Sequence, residues 1–163
     1  MSEITKNVTG SLISAIVIAL VFGIWNDYIY KKDRLTGYWK VEYKTEQSSY
    51  KPYIGLKTNY EFIIGQSGNT INGIGEKISE DSINGVIEYN AEKRGHVELQ
   101  GSVTYRAFSK NSLDIVYKEE GLKRPSSTIL NLVIESKNKM SGTFISTIAS
   151  SKGVVTLTRV NGI

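Results

Sequence analysis

The sequence has no cysteine, a single histidine and two prolines in 163 residues. Without cysteine there is no disulfide framework and no thiolate metal site. One histidine cannot assemble a nitrogen ligand set by itself, so neither metal nor cofactor is expected. That histidine, His96, falls on the strand face opposite Val97 and Leu99, beside Glu98 and Gln100, and reads as a solvated surface residue. Phosphate-loop, nucleophile-elbow and dinucleotide fingerprints are missing too; Gly73-Ile74-Gly75 is too short and opens no helix. The chain therefore does not read as an enzyme. Charge of one sign is scarce: 20 Lys and Arg stand against 16 Asp and Glu, a net charge of +4. This mild excess suits an anionic ligand or an inner membrane surface, and it lacks the dense basic stripe of a DNA binder.

What is present divides the chain into a tail (residues 1–7), an apolar segment (8–30) and one domain (31–163). The run Val8 to Trp25 carries no charge and as a helix spans roughly 27 Å at about 1.5 Å per residue, close to the ~30 Å hydrocarbon core of a bilayer. A similar run also suits a secretory signal or a buried helix. However, Asn26, Asp27, Tyr28, Ile29 and Tyr30 follow it instead of a small-residue cleavage site, which points to a retained transmembrane helix. Trp25, Tyr28 and Tyr30 fall where aromatic rings favour the headgroup boundary, with Lys31, Lys32 and Arg34 beyond. Because only Lys6 precedes the run, the positive-inside bias places the domain in the cytoplasm, on a single pass through the inner (plasma) membrane. Ser11, Ala15, Ala19 and Gly23 recur every four residues, a small-residue face suited to helix association and a homo-oligomer.

After the apolar segment nothing sustains a helical period, and the chain reads as strand after strand. Trp39, Val41 and Tyr43 alternate with Lys40, Glu42 and Lys44, the period of two that marks a strand with one buried face. The same alternation recurs at Tyr60 to Ile64, in a short strand through Ile71, at Val86 to Asn90, His96 to Phe108, Leu113 to Tyr117, Thr128 to Glu135, Met140 to Ala149 and Val154 to Val160. Turns are expected at Ser67-Gly68-Asn69, Lys110-Asn111 and Lys137-Asn138-Lys139, and Glu119 to Ser127 reads as a polar loop. The prediction is an all-β, antiparallel up-and-down barrel of about eight strands, whose closure removes exposed edges. Such a barrel either fills with side chains or encloses one small ligand.

Ten tyrosines and two tryptophans are many for a chain of this size. Tyrosine joins a planar apolar body to a hydroxyl that wants a partner when buried. Tyr43, Tyr60, Tyr105 and Tyr117 with Arg106 are candidate ligand contacts, able to stack bases and bind phosphates; equally, the rings could fill the barrel while the arginines face water. On one strand Tyr105 and Arg106 face opposite sides unless a bulge intervenes.

Gly37-Tyr38-Trp39 resembles the Gly-x-Trp signature of lipocalin-like barrels. There the tryptophan closes the barrel end and packs near an arginine of the last strand, the place Arg159 holds here; Gly37, Trp39 and Arg159 are thus structural candidates. With the membrane segment added, the chain resembles the membrane-anchored barrel effectors of bacterial antiphage cyclic-oligonucleotide signalling (CBASS and related systems). LTGYWKVEY and YEFIIGQSGNTINGIG are similar in kind to the first half of that barrel. The resemblance implies a barrel that binds a cyclic dinucleotide or related cyclic oligonucleotide, oligomerises and disrupts the inner membrane. That family commonly has two membrane helices, whereas one is found here. The alternative is a membrane-tethered lipocalin-like carrier or scaffold for an apolar ligand, without signalling.

Overall fold

Residues 3–28, 34–106, 108–120 and 125–160 are described by the structure, a computed structural model. Two units emerge, residues 1–32 with 106–108, and residues 33–105 with 109–163. The first is built on one helix, α1 (Glu3–Tyr28), which starts inside the segment expected to be a tail. Described side chains on α1 are those of residues 11–23, all exposed, with Leu12, Ile16, Leu20 and Phe22 among them. Among the described residues no helix is long and apolar enough to cross a membrane. Ile29, Tyr30, Lys31, Lys32 and loop residue Gly121 lie outside the described residues, as do the side chains of Lys6, Trp25 and Tyr28.

In the second unit, period-two alternation becomes geometry. Its strands are β1 (Gly37–Gln47), β2 (Lys57–Ser67), β3 (Thr70–Ser82), β4 (Gly85–Glu88), β5 (His96–Thr104), β6 (Ser112–Glu119), β7 (Ser126–Ser136), β8 (Lys139–Ser146) and β9 (Lys152–Arg159). Every pairing is antiparallel and joins chain neighbours, except that β3 pairs past β4 with β5 and β9 returns to β1, with Trp39 opposite Arg159 and Val41 opposite Leu157. Eight strands thus close an up-and-down barrel. The ninth, β4, pairs only with the far part of β3, Ser79 to Ser82, while the near part of β3 pairs with β5. Alternate residues of each barrel strand face inward, as in β1, where Trp39, Val41 and Tyr43 are buried and Lys40, Glu42 and Lys44 exposed.

Several strand limits differ from expectation. β3 runs well past Ile71, because its next inward positions are Gly73 and Gly75 and a missing side chain leaves no alternation to read. At Gly75 an added Cβ would lie 2.7 Å from the Glu61 carbonyl oxygen, so glycine permits the close approach of β2 and β3. β5 ends at Thr104, short of Phe108. Glu119 belongs to β6 instead of a loop.

One end of the interior is closed by apolar packing. Trp39 is fully buried and donates from Nε1 to the Leu35 carbonyl at 2.9 Å. The Arg159 guanidinium lies 5.0 Å from the Trp39 ring centroid and donates from Nη2 to the carbonyls of Arg34 and Thr36, at 2.5 and 3.0 Å. Gly37 supplies a backbone φ of +151°, which side chains rarely adopt, while a Cβ there would only touch Arg159 Nε at 3.4 Å. Leu35, Ile71, Leu113, Met140 and Leu157 fill the layer around the ring without exposure.

Candidate functional site: a tyrosine cup at one barrel end

The inward column of each strand changes character toward the opposite end. On β1 it runs Trp39, Val41, Tyr43, Thr45; on β6 it runs Leu113, Ile115, Tyr117, Glu119; on β7 it runs from Leu132 and Leu130 back to Thr128 and Ser126. The buried polar residues Thr45, Thr58, Glu119, Ser126, Thr128, Ser146 and Ser151 all gather at this end, because the register pairs Glu119 with Ser126, Tyr117 with Thr128, and Thr128 with Ser146.

All of them but Ser126 line a cavity of about 90 Å³, open at the barrel mouth. One water needs roughly 10–15 Å³ of such space, and pockets for drug-sized ligands run to ~300–1,000 Å³; the cup therefore has room for one ring-sized group. Its walls are aromatic. Tyr43 meets Tyr60, Phe144 and Tyr117 edge to face, with ring centroids 5.3, 5.1 and 6.5 Å apart.

Two polar groups in the cup stand out. Glu119 is a buried carboxylate, 6% exposed, whose Oε2 accepts a hydrogen bond from the Tyr60 hydroxyl at 2.9 Å. The Tyr43 hydroxyl is fully enclosed with no hydrogen-bond partner, in a residue 3% exposed. The Tyr117 hydroxyl lies close enough for a weak hydrogen-bonding interaction with it, short of full bonding geometry. Leaving a buried polar group unsatisfied costs about 1–3 kcal/mol. At the mouth, Lys77 forms an ion pair with Glu80 and lies 5.8 Å from the Tyr89 ring centroid.

Electrostatics bind these groups together. Burial, then the neighbouring Tyr117 and Glu119, push the Tyr43 and Tyr60 hydroxyls well above their ordinary value. Tyr117 is raised chiefly by burial. Burial works to lower Lys77, but the charge and hydrogen bond of Glu80 and the charge of Glu119 outweigh it and raise the ammonium above its usual range. The phenols hence stay neutral donors and Lys77 stays a cation.

Of the expected contacts, Tyr43, Tyr60 and Tyr117 come together in the cup. Tyr105 does not. Its hydroxyl accepts from Gln66 Nε2 at 2.7 Å while Gln66 Oε1 takes the Leu35 amide, which puts it at the Trp39 end. Arg106 falls outside the barrel unit. Among the described residues lining the cup there is no arginine. Ser11, Ala15, Ala19 and Gly23 are exposed along α1. His96 is exposed, 3.5 Å from Glu76. Glu119, Lys77 and Glu80 escaped the sequence reading. For Glu119 the signal was available, since it continues the inward alternation Leu113, Ile115, Tyr117.

A second, larger groove of about 470 Å³ lies over the outward side chains of β1, β2 and β9, including Lys40, Glu42 and Thr158. Those groups are solvated, and nothing in it matches the enclosed hydroxyl of the cup.

No family model matches the sequence, and no curated protein matches it. Among solved structures it is similar to a redesigned beta barrel, mFAP1, bound to DFHBI, with 11% identity, TM-score 0.53, and 77% of this chain and 94% of that chain covered. It is also similar to the redesigned beta barrel b11L5F_LGL, with 16% identity, TM-score 0.52, and 78% and 92% covered. At these identities the likeness concerns the fold, an eight-stranded antiparallel barrel.

Proposed function

We propose that the chain is a membrane-tethered receptor whose barrel takes a cyclic dinucleotide, or a related cyclic oligonucleotide, at the tyrosine cup. The observation that carries this reading is the cup itself: a ring-sized cavity walled by Tyr43, Tyr60, Tyr117 and Phe144, with an enclosed hydroxyl that lacks a partner. Aromatic walls stack on any base. A base seated in the cup leaves its phosphates outside, on the side where Lys77 stands. The carrier reading finds no comparable support, since the apolar half of the interior is filled by side chains.

The tether is α1. The uncharged run Val8 to Trp25 lies within its 26 residues and reaches past residues 11–23, the part whose side chains are described; as a helix the whole would span roughly 39 Å at about 1.5 Å each. A helix apolar on every side belongs in a large core or a bilayer, and Leu12, Ile13, Ile16, Val17 and Phe22 are all exposed here. With Lys31, Lys32 and Arg34 on the cytoplasmic side, the barrel faces the cytoplasm. Ligand binding then gathers the helices along Ser11, Ala15, Ala19 and Gly23, and their assembly disrupts the inner membrane, as in the antiphage effectors that the chain resembles.

Calorimetry on the full chain in detergent micelles tests the receptor reading, using cyclic di-GMP, cyclic di-AMP and cyclic GMP-AMP. Heat of binding from at least one is expected; silence from all three refutes it. For the assembly step, Ala19→Leu with Gly23→Leu abolishes oligomers and growth arrest at equal expression while leaving membrane insertion intact. A double variant that still assembles and still arrests growth removes the helix stripe from the account.

A further inference from the structure

The cup offers a ligand two complementary groups. A carboxylate accepts only, at about four lone-pair sites, and the Tyr60 hydroxyl takes one of those on Glu119. The Tyr43 hydroxyl is a donor without a full hydrogen bond, held only by its weak interaction with Tyr117. The fold also makes space for the carboxylate, because a Cβ on Gly95 would lie 2.7 Å from Glu119 Oε1. An occupant must therefore present N–H donors to Glu119 and an acceptor to Tyr43, on a planar body that fits against aromatic rings.

Among the nucleobases this selects one edge. Guanine carries two adjacent donors, N1–H and the N2 amino group, next to the O6 acceptor. Adenine presents a single donating position on its Watson–Crick edge, and uracil sets carbonyls on both sides of its N–H, one of which would face the carboxylate. We infer that the cup reads guanine: Glu119 accepts from N1–H and N2–H, and Tyr43 donates to O6, with the base seated against the rings that wall the cavity. This rests on the receptor reading above and names its specificity. Reading a base by its Watson–Crick edge while stacking it on aromatics is an established way to recognise an unpaired nucleotide.

The test compares affinities of the full chain in detergent micelles for cyclic di-GMP and cyclic di-AMP. The expected result is a preference of about tenfold or more for the guanine ligand, the effect of one charged hydrogen bond. Glu119→Gln sets an amide donor against guanine's own donors or removes the charge, so it should erase that preference and leave cyclic di-AMP within a few-fold of its original affinity. Tyr43→Phe, which cannot unfold the barrel by exposing a polar group, should weaken cyclic di-GMP several-fold. If both ligands bind equally, or if cyclic di-GMP binds a folded Glu119→Gln and Tyr43→Phe as tightly as the original chain, the guanine assignment is overturned while the receptor reading stands. If neither of these ligands nor cyclic GMP-AMP binds, both fall.

Discussion

The two ends of the barrel are built from the same strands and obey opposite rules. At the Trp39 end one buried polar atom, Arg159 Nε, has no partner, but the indole N–H donates to Leu35, the Arg159 guanidinium stacks and caps two carbonyls, and the layer beneath is aliphatic. At the cup end a carboxylate, a line of hydroxyls and an unpartnered phenol sit inside the barrel around space that no side chain fills. Natural sequences break such packing rules where they bind something and offset the cost elsewhere. The plug holds the barrel closed, and the cup is free to be suboptimal.

The sharpest way to break this comparison is at the plug. Trp39→Ala removes a fully buried ring together with the stacking surface of Arg159, and should cost about 3–5 kcal/mol, read as a lower denaturant midpoint. An equal cost on truncating a cup residue such as Thr128→Ala would erase the contrast between the ends.

Alkaline pH sharpens it next. Tyr43, Tyr60 and Tyr117 are raised in the folded chain above the ordinary 10.0, and Tyr38 is pushed up to about 12 by partial burial and its hydrogen bond with Glu61. An acid whose folded value is raised keeps its proton in the fold after the unfolded chain has lost it. Above about pH 10 the folded state thus binds more protons, and stability falls as pH rises; below it this contribution is fully present. Tyrosinate absorbance should show the exposed tyrosines titrating first and the cup tyrosines only as the barrel unfolds. If all titrate together below the unfolding transition, the cup is wetter than described.

The smallest expected effect has the opposite sign. Tyr43→Phe deletes the unsatisfied hydroxyl and keeps the ring contacts, so the chain without ligand should be more stable by about 1 kcal/mol.

The barrel was legible because alternation is a direct imprint of a one-sided core: Trp39, Val41 and Tyr43 announce β1, and Leu113, Ile115 and Tyr117 announce β6. Legibility failed where the inward position held no side chain, as at Gly73 and Gly75, or a charged one, as at Glu119, which the same alternation would have turned inward. Of the candidate contacts, Tyr43, Tyr60 and Tyr117 share an end of the barrel while Tyr105 lies at the other, with Gln66. Period two tells which face a residue occupies, but the end it occupies depends on where neighbouring strands pair, and pairing is a long-range property. Lys77 and Glu80 lie on the part of β3 hidden behind the glycines, so nothing local placed them at the mouth of the cup.

Thermal unfolding of the full chain and of Tyr43→Phe, each with and without cyclic di-GMP, tests the central claim most directly. A ligand at a hundred times its dissociation constant stabilises by about 2.7 kcal/mol. The account predicts that Tyr43→Phe unfolds at the higher temperature without ligand and is raised less by it than the original chain. A Tyr43→Phe variant that unfolds at a lower temperature than the original chain, with neither protein shifted by the nucleotide, would contradict it.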